Sequence, residues 1–222
     1  MSAARLPPVI AIDGPTASGK GTVAAAVAAA LGFHYLDSGA LYRVVALAAL
    51  RRKAALNDGA ALARLARRIT PVFVEGKIIQ DGEDITTLIR TEEVSRAASQ
   101  CAIFPAVRQA LLERQQAFRQ PPGLVADGRD MGTVVFPDAS VKIYLTASVR
   151  ERARRRYKQL IEKGIPATID GLSLDLMERD ARDSGRADAP LAVAPDALVV
   201  DTTRMPITDA IGAVVAAYRD RA

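Results

Sequence analysis

Glycines, hydroxyl side chains and one lysine are closely spaced over residues 14–22, a pattern that suits phosphate binding. The residues are Gly14, Pro15, Thr16, Ala17, Ser18, Gly19, Lys20, Gly21 and Thr22. Glycines let backbone N–H groups turn toward phosphate oxygens, and a helix starting there adds partial positive charge. The Lys20 ammonium would reach the β- and γ-phosphates of a nucleotide. Because Gly21 stands where Ser or Thr usually follows the lysine, we expect water to supply more of the Mg²⁺ coordination shell.

A second candidate anion site covers residues 37–43, with the sequence DSGALYR. A strand is predicted to end and a helix to begin here, with Ser38 as the N-cap. Arg43 lies one turn further along, within reach of an anion at the helix N-terminus. Tyr42 could stack or hydrogen-bond with a ligand. An ordinary capped helix with a solvated arginine explains the same residues equally well.

Three charged residues also follow the apolar run GLVA, namely Asp127, Arg129 and Asp130, with Gly128 between the first two. Ligands of open α/β sheets collect at the carboxyl ends of the strands. Arg129 could therefore hold a phosphate, and either aspartate could accept from a base, a sugar or metal-bound water. The alternative is a salt-bridged turn.

Two predicted helices carry arginines on one face. At about 100° per residue, one stripe holds Arg179, Arg182, Asp183 and Arg186. A second stripe, at spacings i, i+3 and i+4, holds Arg152, Arg155 and Arg156. Solvated helix faces are the ordinary explanation of such stripes. Transfer of a phosphoryl group between two nucleotides would supply the anions that relieve their mutual repulsion.

Composition limits the other kinds of chemistry. The 222 residues include one histidine, His34, and one cysteine, Cys101, so we predict no zinc site, cysteine nucleophile or disulfide framework. An acceptor that is itself an ionised phosphate needs no general base, and we expect His34 to have no catalytic role. Cys101 is predicted to be a packed thiol. The net charge of +5 fits a phosphate-binding enzyme and a nucleic-acid binder alike.

Apolar runs alternate with helical patterns along most of the chain. Strands are predicted at PPVIAID, FHYLD, GLVADG, SVKIYLTA and DALVVDTT, with helices between them, which is typical of a parallel α/β sheet. Residues 70–90 instead alternate in polarity and contain Glu-Gly and Asp-Gly turn signals, which predict a small antiparallel insertion. Pro105 is expected to divide the helical region that follows. A charged helix is predicted over residues 173–188.

These segments together resemble the bacterial cytidylate kinase family. The matching pieces are GPTASGKGT, DSGALYR, IRTEEVSRAASQCAIFPAVRQALLERQQAF, GLVADGRDMGTVVFPDASVKIYLTAS, ERARRR and ERDARDSGRADAPL. They occur in order and span nearly the whole chain. The GKGT form lies within the family's pattern.

The resemblance implies a P-loop NTPase three-layer α/β fold with a core of five parallel strands. It also implies an NMP-binding lobe that carries the small antiparallel β insertion, and a short helical lid. The expected core covers 1–36, 97–150 and 172–222, the lobe covers 37–96, and the lid covers 151–171. The lid would close only over both substrates, which would exclude water.

The resemblance also implies residue roles in the transfer of the γ-phosphate of MgATP to CMP or dCMP. Residues 14–22 would bind ATP together with Arg152, Arg155 and Arg156. The implied CMP site comprises Ser38, Tyr42, Arg43, Ser99, Arg108, Arg129, Asp130, Arg179, Asp183 and Arg186. Among these, Ser99, Arg108 and Asp130 would read cytosine, and Arg179 and Asp183 would hold the ribose. The catalytic charges would come from Lys20, Arg129, Arg186 and Arg155. Mg²⁺ would accompany ATP, with no metal site made of protein ligands alone.

Two alternatives stay open on the sequence. One is a P-loop kinase for another small acceptor, such as UMP, AMP or a non-nucleotide. The other is a basic nucleic-acid-binding protein that uses ATP only as a ligand, although the arginine clusters lack the interleaved aromatic residues expected of such a protein. No apolar run approaches the ~20 residues that span a bilayer, and the N-terminus lacks a signal-peptide pattern. We therefore expect a cytoplasmic monomer that binds neither nucleic acid nor membrane.

Overall fold

The computed structural model describes residues 6–74, 76–162 and 164–221. They form two compact units: the sheet unit, up to Leu36 and from Phe118 onward, and the helical unit, Asp37–Ala117. Glu75 of the expected β insertion and Lys163 of the expected lid lie outside the described residues, as do residues 1–5 of the expected core and residue 222.

Eight strands and eight α-helices make up these units. The strands are β1 (Val9–Asp13), β2 (His34–Asp37), β3 (Val72–Val74), β4 (Lys77–Gln80), β5 (Glu83–Asp84), β6 (Leu124–Gly128), β7 (Val141–Thr146) and β8 (Leu198–Asp201). The helices are α1 (Lys20–Leu31), α2 (Ser38–Arg51), α3 (Gly59–Arg68), α4 (Glu92–Cys101), α5 (Pro105–Gln116), α6 (Val149–Ile161), α7 (Ile169–Ser184) and α8 (Ile207–Arg219). A 3₁₀ turn covers Leu88–Arg90 and a π-helical turn covers Met131–Val135.

A five-stranded sheet in the order β2-β6-β1-β7-β8 forms the centre of the sheet unit. Strand β1 pairs in parallel with β6 and β7, and β7 pairs in parallel with β8. Strands β1 and β6 are buried along their whole length and begin with continuous apolar runs, because both faces of a parallel sheet are covered at its centre. The core combines strand and helix residues, among them Ile10, Ile12, Val23, Val27, Val125, Ile143, Val200 and Val214. The predicted five-stranded parallel α/β core is confirmed.

Glycine geometry fixes the path from β1 through α1 to β2. Gly14 has φ 151°, and a Cβ there would lie 2.0 Å from the carbonyl oxygen of Leu145, so no side chain fits. Gly32 ends α1 with φ 67°, and its N–H donates to the carbonyl oxygens of Ala28 and Ala29. Left-handed glycine is a common helix terminator because it has no Cβ to clash. The phosphate-loop segment is therefore held between a strand and a helix, as the sequence predicts.

The helical unit has its own packing. Helix α2 packs against α4 and α3, and α3 packs against α5. Strands β3, β4 and β5 form a separate antiparallel sheet, in which Val72 pairs with Ile79 and Ile79 pairs with Asp84. The predicted antiparallel insertion is confirmed.

The division of the chain differs from the boundary expected between lobe and core. Residues 97–117 were expected in the core and belong to the helical unit. The reason is packing, since these residues include the second half of α4, which lies on α2, and all of α5, which lies on α3. Pro105 stands at the first position of α5, where its missing N–H costs nothing.

Two local predictions are wrong. The N-cap of α2 is Asp37 rather than Ser38, because the Asp37 carboxylate accepts from the Ala40 N–H at 3.0 Å. The charged helix α7 begins at Ile169 and ends at Ser184, so it does not reach Asp188. The predicted helical stripe therefore loses its last member, Arg186, to the segment after the helix.

Candidate active site

The phosphate-loop segment adopts backbone conformations that alternate in handedness. Ala17 has φ 62° and Gly19 has φ 95°, both in the left-handed region. Successive right- and left-handed residues form a concave nest of N–H groups that suits an anion. Gly19 is also the N-cap of α1, so the helix N-terminus opens at the same place. The loop thus has the backbone geometry of an anion site.

The lysine and a hydroxyl of this loop are both buried. Lys20 is 8% exposed, and its Nζ lies 3.4 Å from the Pro15 carbonyl oxygen. The Ser18 Oγ is buried with no hydrogen-bond partner among the described residues. A buried hydroxyl without a partner is costly, so a ligand oxygen or a water molecule at this point would stabilise the loop.

The glycine that replaces the usual Ser or Thr packs against a carboxylate. A Cβ on Gly21 would lie 3.2 Å from Asp127 Oδ2 and 3.5 Å from the Tyr35 hydroxyl. Tyr35 donates to that same Asp127 oxygen at 2.7 Å. A larger side chain at position 21 would crowd this pair, which gives a steric reason for the GKGT form.

Asp13, at the end of β1, accepts from two backbone N–H groups. Its Oδ1 lies 2.8 Å from the Met131 nitrogen, and its Oδ2 lies 2.8 Å from the Gly132 nitrogen. Burial raises the Asp13 pKa to about 7, although these two N–H groups act in the opposite direction. The carboxyl group therefore fixes the start of the π-helical turn that follows Asp130.

A cluster of opposite charge forms around Asp183, which is 2% exposed. Arg129 Nε donates to Asp183 Oδ2 at 2.8 Å, and Arg186 Nη2 donates to Asp183 Oδ1. Arg129 also donates to the Thr16 hydroxyl at 2.6 Å, which connects the cluster to the phosphate loop. Three predicted site residues, Arg129, Asp183 and Arg186, are thus in direct contact.

Asp183 and Arg129 each stabilise the charged form of the other. Burial alone would raise the pKa of Asp183, but the positive charges of Arg129 and Arg186 outweigh it and hold the pKa below its usual value. Burial likewise opposes the charge of Arg129, but Asp183 and Asp127 raise the pKa of the guanidinium. Both groups are therefore charged near neutral pH.

Two arginines of α6 donate hydrogen bonds to carbonyl oxygens of the phosphate loop. Arg152 Nη1 donates to the Thr16 carbonyl oxygen at 3.1 Å, and its guanidinium pairs with Asp180 at 2.5 Å. Arg155 Nη1 donates to the Ser18 carbonyl oxygen at 3.0 Å. Their repulsion is relieved by carboxylates, because Arg155 also pairs with Glu151 at 3.0 Å.

The other predicted arginines of α6 and α7 have different environments. Arg156 Nη1 lies 3.3 Å from Gln159 Oε1 on the outside of α6. Arg182 is 41% exposed and lies 3.7 Å from Glu178, so it does not join the Asp183 cluster. Arg179 is partly buried, and its charge lowers the pKa of Asp183. Asp130 is buried directly before the π-helical turn.

Two predicted site residues on α2 of the helical unit, Tyr42 and Arg43, each contact a charged residue. Arg43 donates to Asp37 at 2.5 Å, while a Cβ on Gly39 would lie 3.1 Å from the Arg43 guanidinium, so the glycine leaves space for this pair. The Arg108 guanidinium lies 5.9 Å from the centre of the Tyr42 ring. Both side chains are buried, and this distance allows a cation–π contact.

Two further hydroxyl residues of the helical unit are buried. Ser38 is 4% exposed at the first position of α2. Ser99 is also 4% exposed, and its Oγ has no hydrogen-bond partner among the described residues. The Ser99 hydroxyl is therefore available to a polar ligand atom.

The described residues contain no group of three or more His, Cys, Asp and Glu side chains that could hold a metal ion. Thr22 is exposed in the first turn of α1, and Asp127 lies beside Gly21. This donor set suits a Mg²⁺ ion that is carried mainly by phosphates and water. Within residues 6–74, 76–162 and 164–221, every helix is too short or too polar to cross a membrane.

The chain has one histidine and one cysteine, which could have carried other chemistry. His34 is exposed on β2, and its Nε2 lies 2.9 Å from the Pro121 carbonyl oxygen. Cys101 is buried and unbonded to another cysteine, as predicted, and burial raises the pKa of its thiol to about 11.

Sequence reasoning missed four residues of this region: Asp13, Tyr35, Asp180 and Thr202. Asp13 ends β1, and Thr202, whose hydroxyl lies 3.1 Å from the Ser18 carbonyl oxygen, directly follows β8. Both lie at the carboxyl ends of strands, so the rule that found Asp127 could have found them. Tyr35 and Asp180 carry no such signal, because their partners Asp127 and Arg152 are distant in the sequence.

Comparison with known proteins agrees with this geometry. The family model described as cytidylate kinase matches residues 10–220. A cytidylate kinase of Paraburkholderia phymatum is 59% identical over 96% of this chain and 93% of its own. A cytidylate kinase of Bordetella bronchiseptica is also 59% identical, over 96% of this chain and 95% of its own.

Solved structures show a related fold at much lower sequence similarity. The crystal structure of a gluconokinase from Sinorhizobium meliloti 1021 matches with a TM-score of 0.50 and 15% identity, over 98% of this chain and 94% of that chain. At that identity the likeness concerns the fold alone. The family match covers nearly all of the chain, and the phosphate loop and the Arg129–Asp183–Arg186 cluster lie inside it. The chain therefore belongs to the cytidylate kinase family.

Proposed function

We propose that this protein transfers the γ-phosphate of MgATP to CMP or dCMP and releases ADP with CDP or dCDP. The family match over residues 10–220 is the observation that carries the proposal. The relatives are cytidylate kinases, which indicates the acceptor, and 59% identity over 96% of the chain supports its extension to this protein. The phosphate loop and the buried arginines supply chemistry suited to two phosphorylated substrates.

ATP would bind at residues 14–22. The nest formed around Ala17 and Gly19 supports this assignment, as do Lys20 and the unpartnered Ser18 hydroxyl. From α6 we assign Arg152, Arg155 and Arg156 to the same site. Arg152 and Arg155 already donate to carbonyl oxygens of the loop, which supports a role in shaping it. Mg²⁺, when bound with ATP, would neutralise charge on the β- and γ-phosphate oxygens.

We assign ten residues to CMP binding. They are Ser38, Tyr42, Arg43, Ser99, Arg108, Arg129, Asp130, Arg179, Asp183 and Arg186. The buried Ser99 hydroxyl supports a role in base recognition, because a polar ligand atom would satisfy it. Cytosine offers an exocyclic amine donor and two acceptors, which Asp130, Ser99 and Arg108 could match.

The transfer would proceed in line, without a phosphoenzyme. The acceptor is a phosphate oxyanion, so the protein needs no strong base and must instead bring two anions together. Lys20, Arg129, Arg155 and Arg186 would stabilise the negative charge that spreads over the transferred group. The charged state of Arg129 supports this role, since its pKa is raised by neighbouring carboxylates. A monomeric state, a cytoplasmic location and the absence of nucleic-acid binding stay predictions.

The test is a coupled ADP-release assay with MgATP and, separately, CMP, dCMP, UMP, AMP and GMP. We expect fast turnover with CMP and dCMP and slow turnover with UMP. Lys20→Ala should lower kcat by about 100- to 1,000-fold, the range seen when one transition-state donor is removed. Arg154→Ala is the matched control, because Arg154 is 72% exposed and its partner among the described residues is Glu151.

Other results would redirect the proposal. Preference for UMP or AMP would keep the kinase and change its acceptor. If a folded protein that binds ATP releases no ADP with any of the five nucleotides, the acceptor is not a nucleotide. Salt-sensitive RNA binding without kinase activity would favour the nucleic-acid alternative.

A further inference from the structure

Thr202 lies at the carboxyl end of β8, directly behind the phosphate loop. It is 4% exposed. Its hydroxyl lies 3.1 Å from the Ser18 carbonyl oxygen and 3.0 Å from the Thr146 carbonyl oxygen. Its backbone N–H donates to the Thr146 carbonyl at 2.8 Å, so the residue is anchored to β7 independently of its side chain.

Thr202 also orients Arg155. Arg155 Nη1 donates to the Thr202 hydroxyl at 3.1 Å, and Nη2 donates to the Thr202 carbonyl oxygen at 2.6 Å. The same Nη1 reaches the Ser18 carbonyl oxygen at 3.0 Å. The hydroxyl therefore accepts from the guanidinium while its single proton is shared between the two carbonyl oxygens within reach. Ser18, Arg155 and Thr202 form a closed polar network, here called the loop brace.

Because the peptide is planar, the orientation of the Ser18 carbonyl also sets the orientation of the Gly19 N–H. The Ser18 carbonyl and the Gly19 N–H belong to one trans peptide, so they point in opposite directions. Holding the carbonyl toward Thr202 therefore directs the Gly19 N–H away from Thr202. The left-handed φ of 95° at Gly19 leaves this peptide with few steric restraints of its own. A hydrogen bond to the Ser18 carbonyl oxygen is then a direct means of fixing the orientation of the Gly19 N–H.

We propose that Thr202 is a positioning residue for ATP binding. Its hydroxyl fixes the Ser18–Gly19 peptide so that the Gly19 N–H is already oriented for a phosphate oxygen before the nucleotide arrives. The inference rests on the proposed function, in which this loop holds the phosphates of ATP. A preoriented donor loses less freedom on binding, so the brace raises affinity for ATP specifically. The Thr202 hydroxyl contacts Arg155, Ser18 and Thr146, and none of these three residues is assigned to CMP binding.

The experiment compares Thr202→Val, which keeps the shape and removes the hydroxyl, with Thr202→Ser, which keeps the hydroxyl. The matched control is Thr203→Val. The Thr203 hydroxyl bonds Asp201 at 2.5 Å and the Ser148 N–H at 2.9 Å, and neither partner belongs to the loop. Each variant is assayed for Kd of MgATP by calorimetry without CMP, for KM of ATP and CMP, for kcat, and for the thermal midpoint.

We expect Thr202→Val to raise Kd and KM for ATP by about tenfold, the size of one buried hydrogen bond. KM for CMP should stay within about twofold, and Thr202→Ser should bind ATP like the wild type. General destabilisation would move Thr203→Val as well and would not separate ATP from CMP. Should Thr202→Val fail to fold, Thr202→Cys, with a weak S–H donor, is expected to lie between wild type and a full loss.

Three results would overturn the inference. One is an unchanged ATP affinity in folded Thr202→Val or Thr202→Cys. Another is an equal loss in Thr203→Val, and the third is an equal loss in Thr202→Ser. A wild-type protein that binds no MgATP would instead overturn the proposed function, and the inference with it. The two failures are therefore distinguishable from the wild-type measurement alone.

Discussion

Two buried aspartates of the sheet unit, Asp13 and Asp183, have the same side chain and opposite environments. Asp13 is 5% exposed at the end of β1, and Asp183 is 2% exposed near the end of α7. The carboxyl of Asp13 faces the backbone N–H groups of Met131 and Gly132. The carboxyl of Asp183 faces two guanidinium groups. The Asp13 pKa is raised to about 7, whereas the Asp183 pKa is lowered.

The difference shows that burial alone does not set the charge of a carboxyl group. Burial is the largest influence at both positions and raises the pKa in each case. Two N–H dipoles are too weak to reverse it at Asp13, where the charge of Asp130 adds to the rise. Full positive charges do reverse it at Asp183. The first carboxyl organises a turn, and the second pairs with two arginines.

The largest expected effect at a single pH is on the free energy of unfolding of an Asp183 variant. Asp183→Asn removes the negative charge between Arg129 and Arg186, which are only 16% and 5% exposed. Removing one partner of a buried ion pair typically costs about 3 kcal/mol, and we expect that loss in the free energy of unfolding. Urea unfolding at pH 7 measures it.

Asp175→Asn is the control, because Asp175 is an exposed aspartate on the same helix. The loss of stability in Asp183→Asn should also depend on pH. A lowered folded pKa stabilises the protein above the ordinary value of 3.8, and that contribution disappears as the pH falls through the folded pKa. A difference between the two variants below about 1 kcal/mol at pH 7 would show that the arginines do not depend on Asp183.

A second effect, smaller over any one pH unit, should appear in the pH dependence of stability. The folded pKa of Asp13, about 7, lies above its ordinary value of 3.8, so the folded state holds more protons between these values. The free energy of unfolding should therefore fall as the pH rises from about 4 to 7, by up to ~1.4 kcal/mol per pH unit. Asp13→Asn should remove this slope.

The measurement is a series of unfolding curves for wild type and Asp13→Asn across that pH range. The asparagine variant loses one of the two hydrogen bonds to the π-helical turn, which shifts its stability at every pH but leaves no titration. Parallel curves for the two proteins would mean that Asp13 does not titrate in this window.

The smallest effect concerns Asp130, whose charge contributes to the raised pKa of Asp13. Asp130→Asn should lower the Asp13 pKa and move the end of the falling slope to lower pH, by less than about one unit. The stability–pH curve of Asp130→Asn reports this shift, with Asp175→Asn again as reference. A shift to higher pH would contradict the electrostatic account of Asp13.

Local pattern predicted much of the fold. The apolar strands, the glycine at the end of α1 and the proline at the start of α5 are local signals, and each element stands where its signal indicated. The N-cap of α2 was misplaced by one residue because Asp37 and Ser38 are both good caps, and only backbone geometry selects between them. The end of α7 was misplaced because charged residues continue beyond it.

The candidate site was predicted as residue types, and its contacts were not. Arg129, Asp183 and Arg186 were singled out, yet their mutual pairing joins segments 54 positions apart for Arg129 and Asp183. Arg152 and Arg155 were expected at ATP, and the structure adds their bonds to the Thr16 and Ser18 carbonyl oxygens. Nothing in a helical stripe indicates which backbone carbonyl its side chains reach.

The sequence by itself determined the phosphate loop, the alternation of strands and helices, and the family, because these depend on residues close together in the chain. Tertiary structure alone decided which aspartate is charged, which arginines pair, and that Thr202 lies behind Ser18, 184 positions away. The physical reason is that pKa values and hydrogen bonds depend on distance in space and on exclusion of water. Both arise only when the strands align their carboxyl ends.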